Sequence, residues 1–452
     1  MVTNPRAINP KAVTGDSLET IGFAGVAAAV LLLAAACSGP AEVPEEHGTG
    51  TEAPVVESAG PSNDCPDHLA AGAELGIGPV PADLAGTYGA VFCKYTEVLA
   101  PNGGPIRIFA QREISNEQLL YSRGLLEFYL EPVPGSRHGA DKTAIANAMA
   151  DNGATLVMLK GHDGEFEDEF DEEVFAEIDG QALFEDEVAA PGSSWYVDNV
   201  FEGHRDAAFE EILHLVHDAG IGVDVDWAPS GAAPEFQSEI RAAEINALET
   251  NGLWAQGERT ADWIEELREE GSLTQEYLAS VVDSYYGLWG PFEEREGGMW
   301  GIYVAKTREE IAEKDPMGYA LMEAFFHPYL TFEARIDPDF EGVFTMQFDA
   351  VTPYTHKSQY LLHATLVGDH DSGLRGNDQA NTLAGNNGDN VLDGGAGEDT
   401  AVFRGTRAEY EIAPDGDGFS VTDTVPDRDA RDGLVSIEWL QFADERIAAG
   451  SA

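Results

Sequence analysis

The chain has 452 residues, enough for two or three domains. Its 82 acidic residues against 25 basic ones give a formal charge of −57. That excludes nucleic acid as a partner, since phosphate contacts need lysine and arginine, and it argues against a surface that binds anionic lipid headgroups. A hydrophobic fraction of 43% with seven tryptophans calls for real cores rather than disorder, and so acidic a surface needs salt or cations to screen its self-repulsion.

At the N-terminus, Arg6 and Lys11 precede an apolar run from Ile21 to Ala36, and Cys37-Ser38-Gly39-Pro40 follows. The run is short for a membrane span and has the length of a signal-sequence core, so residues 1–36 read as a signal peptide. Leu33-Ala34-Ala35-Ala36-Cys37 resembles the bacterial lipoprotein cleavage box. The resemblance implies lipidation of Cys37 and a protein held at the cell surface through that anchor alone, with plain secretion and an uncleaved anchor as the alternatives. Residues 37–64, rich in Pro, Gly and Glu, read as a disordered tether. If Cys37 carries lipid, Cys65 and Cys93 remain as one even pair outside the cytosol, where a disulfide is the expectation. It would staple a small region over 65–104.

A central domain then spans 105–365. A strand is predicted at Pro105-Ile-Arg-Ile-Phe109, helices at 116–130 and 141–151, and a buried strand at Ala154-Thr-Leu-Val-Met158. The acidic run 165–173 reads as a solvated face. Helical periodicity returns near 206–218, 235–250, 259–270, 273–289 and 317–326, and alternation from Leu330 to Asp349 around Gly342 predicts a hairpin. Strands, then helices, then late strands make the fold class α+β.

The segment from Asp206 to Gly220 carries the chemistry of this domain. Asp206 can cap a helix and Gly220 can end it, with Phe209, Ile212, Leu213 and Val216 as its buried stripe. Glu210, His214 and His217 fall on one face beside that stripe, and one carboxylate with two imidazoles is a divalent-metal site. Solvated glutamates and ordinary hydrogen-bonded histidines are the competing reading. The segment resembles an altered H-E-x-x-H zinc-peptidase helix, in which Glu210 replaces the first histidine, Glu211 takes the general-base position and His214 is the second ligand. Ser272-Leu-Thr-Gln-Glu276-Tyr-Leu-Ala resembles the following helix of anthrax-lethal-factor-like peptidases. That resemblance implies Glu276 as the third ligand and zinc as the metal. Ser272 and Gln275 would form its capping box.

Residues 376–402 repeat every nine residues. Gly376, Gly385 and Gly394 are in register, Asn381, Asn390 and Asp399 hold the sixth position, and Leu383, Leu392 and Ala401 the eighth. One apolar residue per nine suits a β-solenoid, with short strands filling a thin core and glycine loops turning the chain; a flexible glycine-rich linker is the alternative. The third copy, Gly394-Gly395-Ala-Gly397-Glu-Asp399, resembles the calcium-binding repeat of the repeats-in-toxin family. The resemblance implies a parallel β-roll over 366–405 and calcium held by facing loops. Asp378 and Asn381 would face Asp399, and the degenerate copy at Gly368–Asp371 would face Asp389 and Asn390. Strands at 410–412 and 419–423 and the ending Ile437-Glu-Trp-Leu-Gln-Phe-Ala-Asp444 extend the likeness through a C-terminal β segment, 406–452. The functional expectation is an extracellular or surface-anchored calcium-binding protein whose central domain is a zinc-peptidase-like hydrolase acting on protein or peptide. The alternative is a non-enzymatic adhesion-type protein with a degenerate scaffold.

Overall fold

The structure is a computed structural model that describes residues 72–162, 178, 180–199, 201, 205–225, 229 and 231–451. The signal segment, Cys37, the tether, Cys65 and the acidic run at 165–173 lie outside the described residues. Cys93 is buried directly before the first strand.

The first layer is a four-stranded sheet in the order β1 (Lys94–Leu99), β2 (Pro105–Ala110), β3 (Thr155–Leu159), β4 (Gln181–Phe184). The β1–β2 pair is antiparallel and the other two pairs are parallel. Lys94–Leu99 therefore belongs to the sheet of the central domain. All five residues of β3 are buried, as an unbroken Thr-Leu-Val-Met-Leu run requires when a sheet is covered on both faces. Val91, Phe92, Phe109, Val157, Leu159 and Phe184 cover one face, with Tyr88 stacked on Phe109 at 4.1 Å.

Helices cover the other face. α1 (Asn116–Leu130) starts at a capping box: Gln118 N donates to Ser115 Oγ at 3.0 Å, and Ser115 N donates to Gln118 Oε1 at 3.0 Å. It stops at Glu131, which Pro132 holds in extended conformation. After α2 (Thr143–Asp151) and the short α3 (Ser194–Asp198) come α4 (Ala208–Val216), α5 (Pro234–Ile245), α6 (Ala261–Glu270), α7 (Leu273–Tyr285), α8 (Arg308–Lys314) and α9 (Pro316–Phe325). Every residue of α4 and of α7 is buried, so neither presents a solvent face. α4 lies against α1, β3, β4 and α7.

From Leu330 onward the chain is a two-sheet β-roll. The strands of one sheet are β5 (Leu330–Ile336), β7 (Leu361–Leu366), β9 (Thr382–Ala384), β11 (Thr400–Val402) and β15 (Trp439–Gln441), all parallel, with β16 (Arg446–Ala448) antiparallel at the end. The other has β6 (Val343–Thr345), β8 (Gly373–Arg375), β10 (Val391–Asp393) and β14 (Arg431–Val435), also parallel, closed by the antiparallel hairpin β12 (Tyr410–Asp415) and β13 (Gly418–Asp423). Leu330–Asp349 is not a hairpin, because β5 and β6 lie in different sheets with the turn at Asp337–Gly342 between them. Period-two alternation is common to both arrangements.

The ladder thus starts before the nine-residue register and resumes after the β12–β13 insertion. Phe344, Leu374, Leu392 and Leu434 stack in register on one side of its core, and Ala364, Leu383, Ala401 and Leu440 on the other. None is more than 2% exposed. Each such leucine contributes about 1.5–3 kcal/mol of burial. The first coil joins the roll to the helices: Phe332 packs edge-on against Tyr121 of α1 at 5.4 Å, over Gly124. The chain is an α+β protein with mixed sheets.

Candidate metal centre

Asp206 precedes α4. Its carboxylate accepts from Ala208 N at 3.3 Å and from Tyr121 Oη at 2.5 Å, and burial raises its pKa to about 7. The helix does not end at Gly220. It passes into one π turn, His217–Ile221, closed by Gly222 at φ 99°, whose N–H donates to His217 O at 2.7 Å. Phe209, Ile212, Leu213 and Val216 form the apolar stripe. The opposite face meets α7 instead of water, and Glu210 (2% exposed), Glu211 (1%) and His214 (2%) are shut into protein.

Glu210, His214 and Glu276 converge, each offering one ligand atom within 4.8 Å of the others. His214 Nε2 lies 3.7 Å from Glu276 Oε1, a separation that an ion between them would bridge. Glu211 stands beside the group, 3.6 Å from His214 Nδ1. Gln181 on the edge strand β4 holds it, with Nε2 donating to Glu211 Oε2 at 2.6 Å. His217 is not part of the group. Glu210 and His217 are separated by about 10 Å of helical rise, and at that height the neighbour is α5, where His217 Nε2 hydrogen-bonds Gln237 Oε1 at 2.6 Å. Arg205 pairs with Glu210 and donates to Asp283 Oδ2 at 3.1 Å. Asp283 is seven residues beyond Glu276, on the same face of α7. The capping box predicted at Ser272 and Gln275 does not form, and Ser272 Oγ is buried without a partner among the described residues.

So many ionisable groups buried together perturb one another. Burial raises the Glu276 pKa, and lifts Asp283 and Asp218 to about 6 each. Burial opposes the charge on His214, but Glu276 and Glu211 outweigh it and raise the imidazole to about 9. Burial lowers His217 to about 4. Among the described residues, Glu211 Oε1, His214 Nε2, Asp218 Oδ1 and Asp283 Oδ1 have no hydrogen-bond partner. Buried charge and unpaired polar atoms cost several kcal/mol unless a counter-ion is present. Two carboxylates and an imidazole with open valences fit a divalent cation, which would also stabilise the ionised carboxylates.

The Tyr354–Tyr360 segment is built into the first coil of the roll and contributes no member to the group. Tyr354 Oη accepts from Thr345 N at 3.1 Å, and the His356 ring rests on Phe348. The reason is the early start of the ladder, which takes this segment as the turn before β7.

In the roll, loops two repeats apart face each other. Asn381 N donates to Asp399 Oδ1 at 2.7 Å, and Asp389 N to Asp371 Oδ1 at 2.9 Å. Asp378 and Asp389 are exposed, the former accepting from its neighbour Gln379. Asn381, Asn390 and Asp399 point inward and are buried. Gly376, Gly385 and Gly394 are pressed against facing groups, while Gly395 and Gly397 adopt φ of 86° and 139°. Strand register assigns two further sixth positions. Asp432 follows Ser372 and Asn390 in one column, and Glu438 follows Asn381 and Asp399 in the other. The hairpin between β11 and β14 hides both from the repeat spacing. Arg205 and Gln181 carry no motif signal, whereas the i, i+7 spacing of Glu276 and Asp283 was there to be found. No known protein family and no curated protein matches this chain.

Proposed function

We propose that the chain is an extracytoplasmic calcium-binding protein whose roll adjoins a zinc-dependent, peptidase-like hydrolase centre. The observation that carries the catalytic reading is the buried convergence of Glu210, His214 and Glu276 with Glu211 alongside. Glu210, His214 Nε2 and Glu276 would hold the ion. When bound, it supplies Lewis acidity toward a carbonyl and a water. Glu211, whose Oε2 accepts from Gln181 and whose Oε1 has no partner among the described residues, would take the water's proton and return it to the leaving amine. The strongly acidic surface suits a calcium-rich or saline medium.

Two observations favour the non-enzymatic alternative: Arg205 already pairs with Glu210 and Asp283, as an internal counter-ion would in a degenerate site, and Glu210, Glu211, His214 and Glu276 are all buried away from a protein substrate. Stripping the full chain with chelator and titrating back zinc separates the two. The hydrolase reading expects hydrolysis of an unstructured protein such as casein to return with one zinc equivalent, and not to return in a His214→Ala variant. Hydrolysis that is absent at every zinc level would leave the scaffold reading.

A further inference from the structure

The loops of the roll are not equivalent. In the loop Gly376–Asn381, Asn377 N donates to Asn381 Oδ1 (2.8 Å) and Gln379 N to Asn377 Oδ1 (2.9 Å). Asn377 Nδ2 reaches back to the carbonyls of Gln359 (3.1 Å) and Leu361 (2.9 Å), and Asn381 Nδ2 to Leu362 O (3.3 Å). The loop Gly385–Asn390 repeats the arrangement. Asn386 N donates to Asn390 Oδ1 (2.8 Å) and Gly388 N to Asn386 Oδ1 (2.8 Å). Asn386 Nδ2 reaches the carbonyls of Val367 (3.2 Å) and His370 (3.1 Å), and Asn390 Nδ2 those of His370 (3.3 Å) and Ser372 (3.1 Å). In both loops, amide hydrogens occupy the space in which carbonyl oxygens of the preceding coil would otherwise face a cation. On the far side of Gly385–Asn390 a guanidinium does so: Arg404 Nη2 donates to Asn386 O (3.1 Å) and Asn387 Oδ1 (2.9 Å), with Asp429 as its counter-charge.

The interface between Gly376–Asn381 and Gly394–Asp399 differs. Position two is Gly395 and position six is Asp399, so no amide side chain enters. The carbonyl oxygens of Gly376 and Asn377 crowd Gly395, and that of Gln379 crowds Gly397. Asp399 is 0% exposed, and its Oδ1 accepts from Asn381 N while Oδ2 has no partner among the described residues. An oxygen-lined gap with one unpaired carboxylate oxygen is what a hard dication selects, since calcium takes six to eight oxygens in flexible geometry.

We propose that the roll binds a single calcium ion, between Gly376–Asn381 and Gly394–Asp399 through Asp399 and facing carbonyls, and that asparagine amides replace the ion between the earlier coils. This rests on the calcium reading above and deepens it by fixing the number and place of the ions. The test is equilibrium dialysis of the full chain against calcium, comparing the native sequence with Asp399→Asn, which keeps the acceptor for Asn381 N. A difference of one equivalent is expected, with the β circular dichroism of both proteins retained in chelator. A second variant, Asn386→Gly with Asn390→Asp, restores the glycine and carboxylate pattern to the amide loop and is expected to gain one equivalent. Retention of the equivalent by Asp399→Asn would overturn the assignment. Two or more equivalents in the native roll would overturn the amide replacement while leaving the calcium reading intact, and no calcium-dependent difference at all would overturn both.

Discussion

Replacing Glu211 by glutamine separates proton transfer from metal holding. Glu211 is 1% exposed, with Oε2 accepting from Gln181 at 2.6 Å and Oε1 unpaired among the described residues. A glutamine is isosteric and can present its carbonyl oxygen to Gln181, so the packing is kept. The bond falls from a charge-assisted strength of about 1.5–3 kcal/mol to a neutral one of about 0.5–1.5 kcal/mol. Removing a buried carboxylate with an unpaired oxygen offsets that loss. Stability is therefore expected to fall by no more than about 1 kcal/mol, or to rise. Catalysis is expected to fall much further. A general base contributes about 10²–10⁴-fold, equivalent to about 2.7–5.4 kcal/mol of barrier. The assay is kcat and KM for peptide hydrolysis together with zinc content and urea denaturation of the same preparation. Loss of kcat at constant KM, zinc and stability is the predicted pattern. Undiminished kcat would refute the role. So would a fall in activity that tracks a fall in zinc affinity, because Glu211 lies on the Nδ1 side of His214, where a carboxylate orients a metal-bound imidazole and is worth about 10–100-fold in affinity.

Three further outcomes follow from the packing. Lys142 is buried, with Nζ donating to Tyr129 O at 2.8 Å and sitting over the Phe325 ring, and burial lowers its pKa to about 7. Its unfolded value is about 10.4, so the unfolded chain binds the extra proton between the two values. Stability should climb with pH over that window by up to about 1.4 kcal/mol per unit from this group, and Lys142→Met should flatten the climb in denaturation series at pH 7 to 10. Leu392→Ala removes a fully buried rung between Leu374 and Leu434 and should cost about 2–5 kcal/mol in chemical unfolding, while Leu392→Met should cost under about 1.5 kcal/mol. A Cβ at Gly394 would run into the Ser436 carbonyl and Asp399, whereas at Gly433 the nearest atom is 3.9 Å away. Gly394→Ala should therefore lower the melting temperature of the roll and Gly433→Ala should leave it nearly unchanged.

Where local chemistry decides structure, the sequence was legible. Ser115 and Gln118 announce the start of α1 and Pro132 its stop, and the apolar run at Thr155–Leu159 reads directly as a buried strand. The β-roll was visible only where the glycines keep their nine-residue spacing. Leu330–Leu366 forms its first coils with ordinary alternation and long turns, and the β12–β13 hairpin interrupts the register before Asp432 and Glu438. The candidate centre divides in the same way. Glu210, His214 and Glu276 come from helices with readable spacing, and the structure brings them together. His217 shared their helical face, but a neighbour along the axis, Gln237, claims it. Arg205, just before α4, and Gln181, on β4, have no local pattern to betray them.

The most direct trial of the central claim is an anomalous diffraction map, recorded at the zinc edge from crystals of the full chain grown with equimolar zinc. The account predicts a single strong peak about 2.0–2.2 Å from Glu210, His214 Nε2 and Glu276, with Arg205 kept by Asp283. A map without a peak there, with the Arg205 guanidinium still lodged against Glu210, would contradict it.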